Sequence, residues 1–250
     1  NNVILAVSGD IDRDGLLKIL GRVFNGWQRG TIVFPAIDPP KTASKPAVLF
    51  ARKDVNQSVI RIGGLGTEKS NPDLYAVRVM DYILGGGLTS RLAKEIRSSE
   101  GLAYQAASYF DVGRRFVGTF WAVTETKSES TARAISLMRR IITSMGAEAV
   151  SDQELSLAKD AIINSFIFGF ARTDAVVNQQ ARLELFGYPA GYLDDYRDNI
   201  AKVTKEDILQ AAQKYLKPDA LTLMVVGDET KFDRPLSLFG PVKEIKLGIK

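Results

Sequence analysis

An α+β fold, with a mainly antiparallel sheet covered on one face by helices, is what three features of this chain predict. Short runs rich in apolar residues at 47–51, 58–65, 104–112, 116–124 and 221–226 read as strands, three of them followed at once by glycine. Between them lie longer stretches whose apolar residues recur at helical spacing. The order is strand, strand, helix, helix, strand, strand, then several helices, then a strand. Such blocks, rather than strict alternation, fit helices layered on one face of a sheet.

Composition narrows what such a fold could do. The chain has 250 residues, 45% hydrophobic and 25% charged, enough for one large domain or two modest ones. Net charge is only +4, and Arg114-Arg115 and Arg139-Arg140 are its basic doublets. A nucleic-acid binder concentrates charge on one face, so no nucleic-acid partner is expected. No apolar run reaches the ~18 residues that a membrane span needs. The sequence contains no Cys and no His. That removes disulfides, a thiol nucleophile, histidine general-base chemistry and a Ser-His-Asp triad. Ordinary zinc sites use Cys or His, so no metal ligand and no cofactor is expected in this chain. An Asp-rich calcium loop is missing as well. Compartment stays open between bacterial periplasm and cytoplasm, the periplasm slightly favoured. The first residues, Asn-Asn-Val-Ile-Leu-Ala-Val, read directly as a strand without initiator Met or signal pattern. The expectation is a piece of a longer protein, with any targeting signal upstream.

The elements follow in order. The run 3–7 predicts a buried strand, turned by Ser8-Gly9-Asp10. Asp12 caps a helix over about 14–24, with Leu16, Leu17, Ile19, Leu20 and Val23 as its apolar stripe. Pro35, Pro39, Pro40 and Pro46 mark a stiff linker. Residues 1–45 are therefore read as a strand-helix remnant of a preceding domain plus linker, and 46–250 as the main α+β domain. Strands follow at 47–51 and 58–65, the second broken by Gly63, Gly64 and Gly66. Asn71-Pro72 opens a helix, Asn as cap and Pro at its first position. Leu74, Ala76, Val77, Met80, Ile83 and Leu84 carry it to Gly85-Gly86-Gly87. A helix over 89–99 comes next, then an antiparallel hairpin, 104–112 with 116–124, around Gly113. Helices are expected over 128–145, from the capping box Ser151-Asp-Gln-Glu154, from Thr173 and from Thr204. The apolar 161–170 portion is expected to be deeply buried, and Phe166, Phe168, Phe170 and the Trp121 strand are read as core. A last strand, 221–226, ends in Gly227-Asp228. Its Leu223-Met-Val-Val-Gly227-Asp228 echoes Leu5-Ala-Val-Ser-Gly9-Asp10. Either strand-Gly-Asp is simply a common turn, or the chain holds the end of one copy and all of a second copy of a duplicated domain.

Candidate chemistry gathers in 85–104. Gly85, Gly86 and Gly87 before a helix could receive phosphate at free N–H donors. Yet a helix precedes them, and neither Gly-Lys-Thr/Ser nor G-x-G-x-x-G is present. A hinge between two helices is the better reading. Arg97 falls in the last helical turn, where a cation complements the dipole, and Gly101 reads as its C-cap glycine. Arg97 and Tyr104 can be purely structural. Alternatively, both project at one helix–strand junction, where an Arg fork and a Tyr hydroxyl could grip a peptide carbonyl or a developing oxyanion.

The run Gly85-Gly-Gly-Leu-Thr-Ser-Arg-Leu-Ala-Lys-Glu-Ile-Arg97-Ser-Ser-Glu-Gly101-Leu-Ala-Tyr104 closely resembles the second-domain signature of the insulinase/pitrilysin-like zinc peptidases. Arg97 and Tyr104, seven residues apart, match the Arg and Tyr of that signature in type and spacing. Asn56-Gln57-Ser58, Asn71-Pro72-Asp73 and the Gly-Asp strand ends agree with it, so the resemblance covers nearly the whole chain. It implies the second domain of a duplicated two-domain half, with the tail of the preceding similar domain. It also implies a clamshell partner that holds zinc on a His-x-x-Glu-His motif and a peptide substrate added as a strand in that half. Arg97 would orient the peptide, and Tyr104 would donate to its carbonyl as charge develops. The departure is the missing histidine: the zinc would sit upstream or in a separate subunit. A non-catalytic scaffold or interaction subunit derived from the same fold is the alternative.

Overall fold

Alternating burial along two central strands decides where the helices pack in the computed structural model, which describes residues 2–39 and 45–246. The described chain runs α1 (Arg13–Val23), β1 (Val48–Arg52), β2 (Gln57–Leu65), β3 (Thr67–Glu68) and α2 (Leu74–Asp81). A π-helical turn (Tyr82–Gly86) and a π-helical segment (Ala93–Ser99) lead to β4 (Ala106–Phe110), β5 (Val112–Gly113) and β6 (Thr119–Lys127). Then come α3 (Thr131–Ala147), α4 (Asp152–Phe168), α5 (Thr173–Leu185), α6 (Tyr192–Lys202), α7 (Lys205–Tyr215), β7 (Thr222–Gly227) and β8 (Val242–Glu244). The chain divides into two compact units, one of Asn1–Pro39 with Ile163–Arg197, the other of Pro40–Ile162 with Asp198–Lys250.

The larger unit holds a six-stranded sheet in the order β4-β6-β2-β7-β1-β8. The β4–β6, β6–β2 and β2–β7 ladders are antiparallel, while β1 lies parallel to β7 and β8. The expected mainly antiparallel sheet is thus present. Ser58, Ile60 and Ile62 of β2 and Phe120, Ala122, Thr124 and Thr126 of β6 are buried, whereas Arg61 between them is exposed. One face is therefore apolar, as a period of two demands. Against it α3 brings Ile135, Met138, Ile141, Ile142 and Met145, each at most 1% exposed. Burying each contributes about 1.5–3 kcal/mol. Beside α3, α7 packs on α2. There Asp73 accepts from Lys214 Nζ (2.7 Å) and Tyr215 OH (2.8 Å), and these bonds hold its carboxyl below the usual range.

Several expectations shift. Asn71 does not cap α2: its Oδ1 accepts from Asp73 N at 2.9 Å, an Asx turn that keeps Pro72 and Asp73 outside the helix. Gly63 and Gly64 do not break β2, because Gly63 pairs with Trp121 on one side and Thr222 on the other. The strand after the glycine-rich stretch begins at Ala106, leaving Tyr104 outside it. Phe120 and Ala122 confirm the Trp121 strand as core, but Trp121 itself is half-buried. It stacks on Tyr109 at 4.2 Å beneath the Arg61 guanidinium. The polar helix α6 and the short exposed β8 were not expected.

In the smaller unit Asp12 caps α1 as expected, accepting from Gly15 N at 2.8 Å. The 3–7 run is no buried strand: Val3 is 63% and Leu5 53% exposed, and among the described residues no strand pairs with it. An apolar run becomes a strand only when a neighbour takes its backbone groups. The deep burial expected for 161–170 also fails, Phe168 being 79% and Ile167 48% exposed. A helix apolar all round is buried only if packed all round. Here Phe166 meets Tyr196 and Phe170 at 4.7 Å each, and that leaves the Phe168 side open. Pro40 of the expected linker lies outside the described residues.

Candidate functional site

The glycine stretch is seated directly on the edge of the sheet. Gly85 lies in the π-helical turn, and a Cβ there would stand 2.2 Å from Ser108 N. Only glycine lets the turn approach β4 this closely. Gly86 belongs to the same turn and Gly87, extended, ends it. Asp81, last residue of α2, accepts from Ser108 Oγ (2.6 Å) and Phe110 N (3.1 Å). Burial raises its carboxyl to about 6, against the opposing pull of these two bonds. The end of α2 thereby ties down the outer edge of β4.

The next helical stretch is anchored at its start. Buried Ser90 caps it, its Oγ accepting from Ala93 N at 3.4 Å. Arg91 forks onto Glu154, Nε to Oε1 at 2.7 Å and Nη2 to Oε2 at 3.0 Å, and Nη1 donates to Ser144 Oγ at 3.3 Å. Glu154 also closes the expected capping box with Ser151. The Arg91 fork, aided by Ser151 and opposed by burial, draws the Glu154 carboxyl down to about 2. Leu92 and Ile96 are fully buried, and Glu95 and Glu100 pair with Arg140 and Arg133 of α3.

The far end is open. The stretch finishes in π-helical geometry, Glu100 N donating to Glu95 O at 3.0 Å. Gly101 then takes φ +61, the left-handed conformation that a side chain disfavours. Past it, Leu102 O accepts from Thr126 Oγ1 at 2.8 Å and Gln105 O from Thr124 Oγ1 at 2.9 Å. Tyr104, between those carbonyls, is 86% exposed. The Arg97 guanidinium carbon stands 5.1 Å from the centre of its ring, a cation–π geometry. Among the described residues neither the Arg97 guanidinium nor the Tyr104 hydroxyl has a hydrogen-bond partner. The two candidates of the sequence thus come together as a pair of uncommitted donors on an anchored support.

Asp81, Thr124 and Thr126 were missed as members of this neighbourhood, and Arg91, inside the 85–104 run, was given no role. Their partners lie 19 to 63 positions away in sequence, beyond any local pattern. With no His or Cys in the chain, and no group of three or more acids able to hold a metal among the described residues, this donor set does not fit zinc. Among the described residues, no helix is long and apolar enough to cross a membrane.

The peptidase M16 inactive domain, as a family, matches residues 1–162. The chain belongs to that family, in keeping with the insulinase-like signature at 85–104. It is 25% identical over 236 residues to a non-peptidase homolog, YmxG, of Helicobacter pylori, covering 92% of this chain and 53% of that protein. Over 223 residues it is 26% identical to an uncharacterized zinc protease of Streptomyces coelicolor, covering 86% and 48%. A peptidase M16 inactive domain from Pseudomonas fluorescens shares the fold with a TM-score of 0.75 at 24% identity, over 91% of this chain and 54% of that one. The chain spans about half the length of the curated relatives it matches.

Proposed function

We propose that this chain is the part of a zinc metallopeptidase that grips the peptide without holding the zinc. The observation that carries the reading is the Arg97–Tyr104 pair, in cation–π contact and exposed, its donors unspent among the described residues. The zinc belongs to another half, upstream in the same polypeptide or in a separate subunit. A relative named a zinc protease supports its presence there. Residues 1–45 are the end of a preceding similar domain, and 46–250 the domain that carries the pair. Arg97 presents a planar fork to a peptide carbonyl or carboxylate and orients it. Tyr104 donates its O–H to the carbonyl oxygen as that oxygen gains charge, a donor typically worth ~3 kcal/mol of transition-state stabilisation. Gly85, Gly86, Gly87 and Gly101 shape the junction. Assaying peptide affinity and cleavage of the full-length protein with its zinc-bearing half tests this. Arg97→Ala should weaken peptide binding at least tenfold, and an unchanged affinity would remove Arg97 from the site.

A second reading is favoured by the printed name of one relative, a non-peptidase homolog: a scaffold or interaction subunit built on the same fold. Under it the assembled protein cleaves no peptide, and Arg97 and Tyr104 can be replaced without consequence for its assembly.

A further inference from the structure

The segment 102–105 carries Tyr104, yet it belongs to neither the helical stretch before it nor β4 after it. Two buried hydroxyls hold its two ends. Thr126 Oγ1 donates to Leu102 O at 2.8 Å and Thr124 Oγ1 to Gln105 O at 2.9 Å. Each threonine is 1% exposed, so neither hydroxyl has bulk water as an alternative partner. Both stand on the inner face of β6, where Phe120 and Ala122 are apolar. Packing alone would be served there by valine, which has nearly the same shape. The hydroxyls are explained by the carbonyls they reach. Those carbonyls bracket Ala103 and Tyr104, and β6 is fixed by ladders to both β2 and β4. A rigid strand thus grips the segment on either side of an exposed tyrosine.

We propose that Thr124 and Thr126 are positioning residues, which fix the 102–105 segment so that the Tyr104 hydroxyl is presented beside Arg97. The proposal rests on the peptide-gripping reading of that pair. Positional error of about an ångström in a donor is costly, and a donor acts only where it is preorganised. Losing the two anchors should therefore harm turnover more than ground-state binding.

The test uses the full-length protein with its zinc-bearing half, carrying Thr124→Val, Thr126→Val or both, with serine at each position as the rescue. Three readouts are taken: amide exchange at 103–105, kcat and KM on a quenched fluorescent peptide, and melting temperature. The double valine variant should exchange at least tenfold faster at 103–105 and lose at least tenfold in kcat, with KM within twofold. Serine should restore both. Adding Tyr104→Phe to the double variant should lower kcat no further than Tyr104→Phe alone, as expected of groups that act through one another. Wild-type exchange at 103–105, or a kcat loss that multiplies with that of Tyr104→Phe, would overturn the positioning role. The single valine variants carry the same readouts if the double variant does not fold. A silent Tyr104→Phe would instead sink the reading of the site, a result distinct from a silent pair of valine variants beside an impaired Tyr104→Phe.

Discussion

Arg91 and Arg97 lie six positions apart on one helical stretch, yet the two regions around them have opposite character. Arg91 spends its donors on Glu154 and Ser144 and anchors the stretch to α3 and α4. Among the described residues, Arg97 meets the Tyr104 ring and no hydrogen-bonding partner. The first end, with Gly85 and Asp81 behind it, is a joint whose polar groups face one another; at the second, the Arg97 and Tyr104 side chains face outward. Residue type does not separate the committed arginine from the uncommitted one here. What separates them is whether the fold itself uses up the donors.

That contrast can be broken or sharpened by mutation, beginning at the joint. Gly85→Ala places a carbon 2.2 Å from the Ser108 backbone, so strand and turn must part. We expect a loss of about 3 kcal/mol or more in urea unfolding, the largest effect in the stretch. Arg91→Ala leaves Glu154, 31% exposed as a side chain, without its fork. Discounted for that partial exposure, the expected loss is about 2 kcal/mol, read as a lower urea midpoint.

The two carboxylates of the joint should give opposite pH slopes. Glu154 falls from 4.5 to about 2 on folding, so its contribution is present above about pH 4.5 and is lost as pH falls through 2. Asp81 rises from 3.8 to about 6. Its contribution is full below about pH 4 and is lost as pH climbs through 6. Each shift corresponds to about 3 kcal/mol, that of Glu154 before discounting for its partial exposure. Urea midpoints across pH should lose the acid-side slope in Glu154→Gln and the slope between pH 4 and 6 in Asp81→Asn. The smallest stability effect belongs to the open end: Arg97→Ala and Tyr104→Phe should each change unfolding free energy by less than about 0.5 kcal/mol.

Legibility in the sequence followed pairing. The echoing segments make the point: Leu223-Met-Val-Val-Gly227 is β7, clasped by β1 and β2, whereas Leu5-Ala-Val-Ser-Gly9 forms no strand. Local pattern specifies the capacity for a strand, and partners distant in sequence decide it. Polar α6 carries a sparse stripe of Tyr192, Leu193, Tyr196 and Ile200, of which Ile200 alone is buried, and four charged residues in its first seven hide it. The π-helical closures at 82–86 and 93–99 depend on seating against β4 and α3, which no spacing rule encodes. Arg97 and Tyr104 were legible only through a long family signature, since spacing alone allowed a helix-end cation and an ordinary aromatic. Asp81 and the two threonines of β6 look like unremarkable polar residues until the fold brings their partners to them.

The most direct test of the account is kcat/KM for peptide cleavage by the assembled protein carrying Tyr104→Phe, with melting temperature measured on the same sample. Loss of one hydroxyl that meets a developing oxyanion predicts a fall of roughly 100-fold at an unchanged melting temperature. An assembled protein that cleaves peptide equally well with phenylalanine at this position would contradict it.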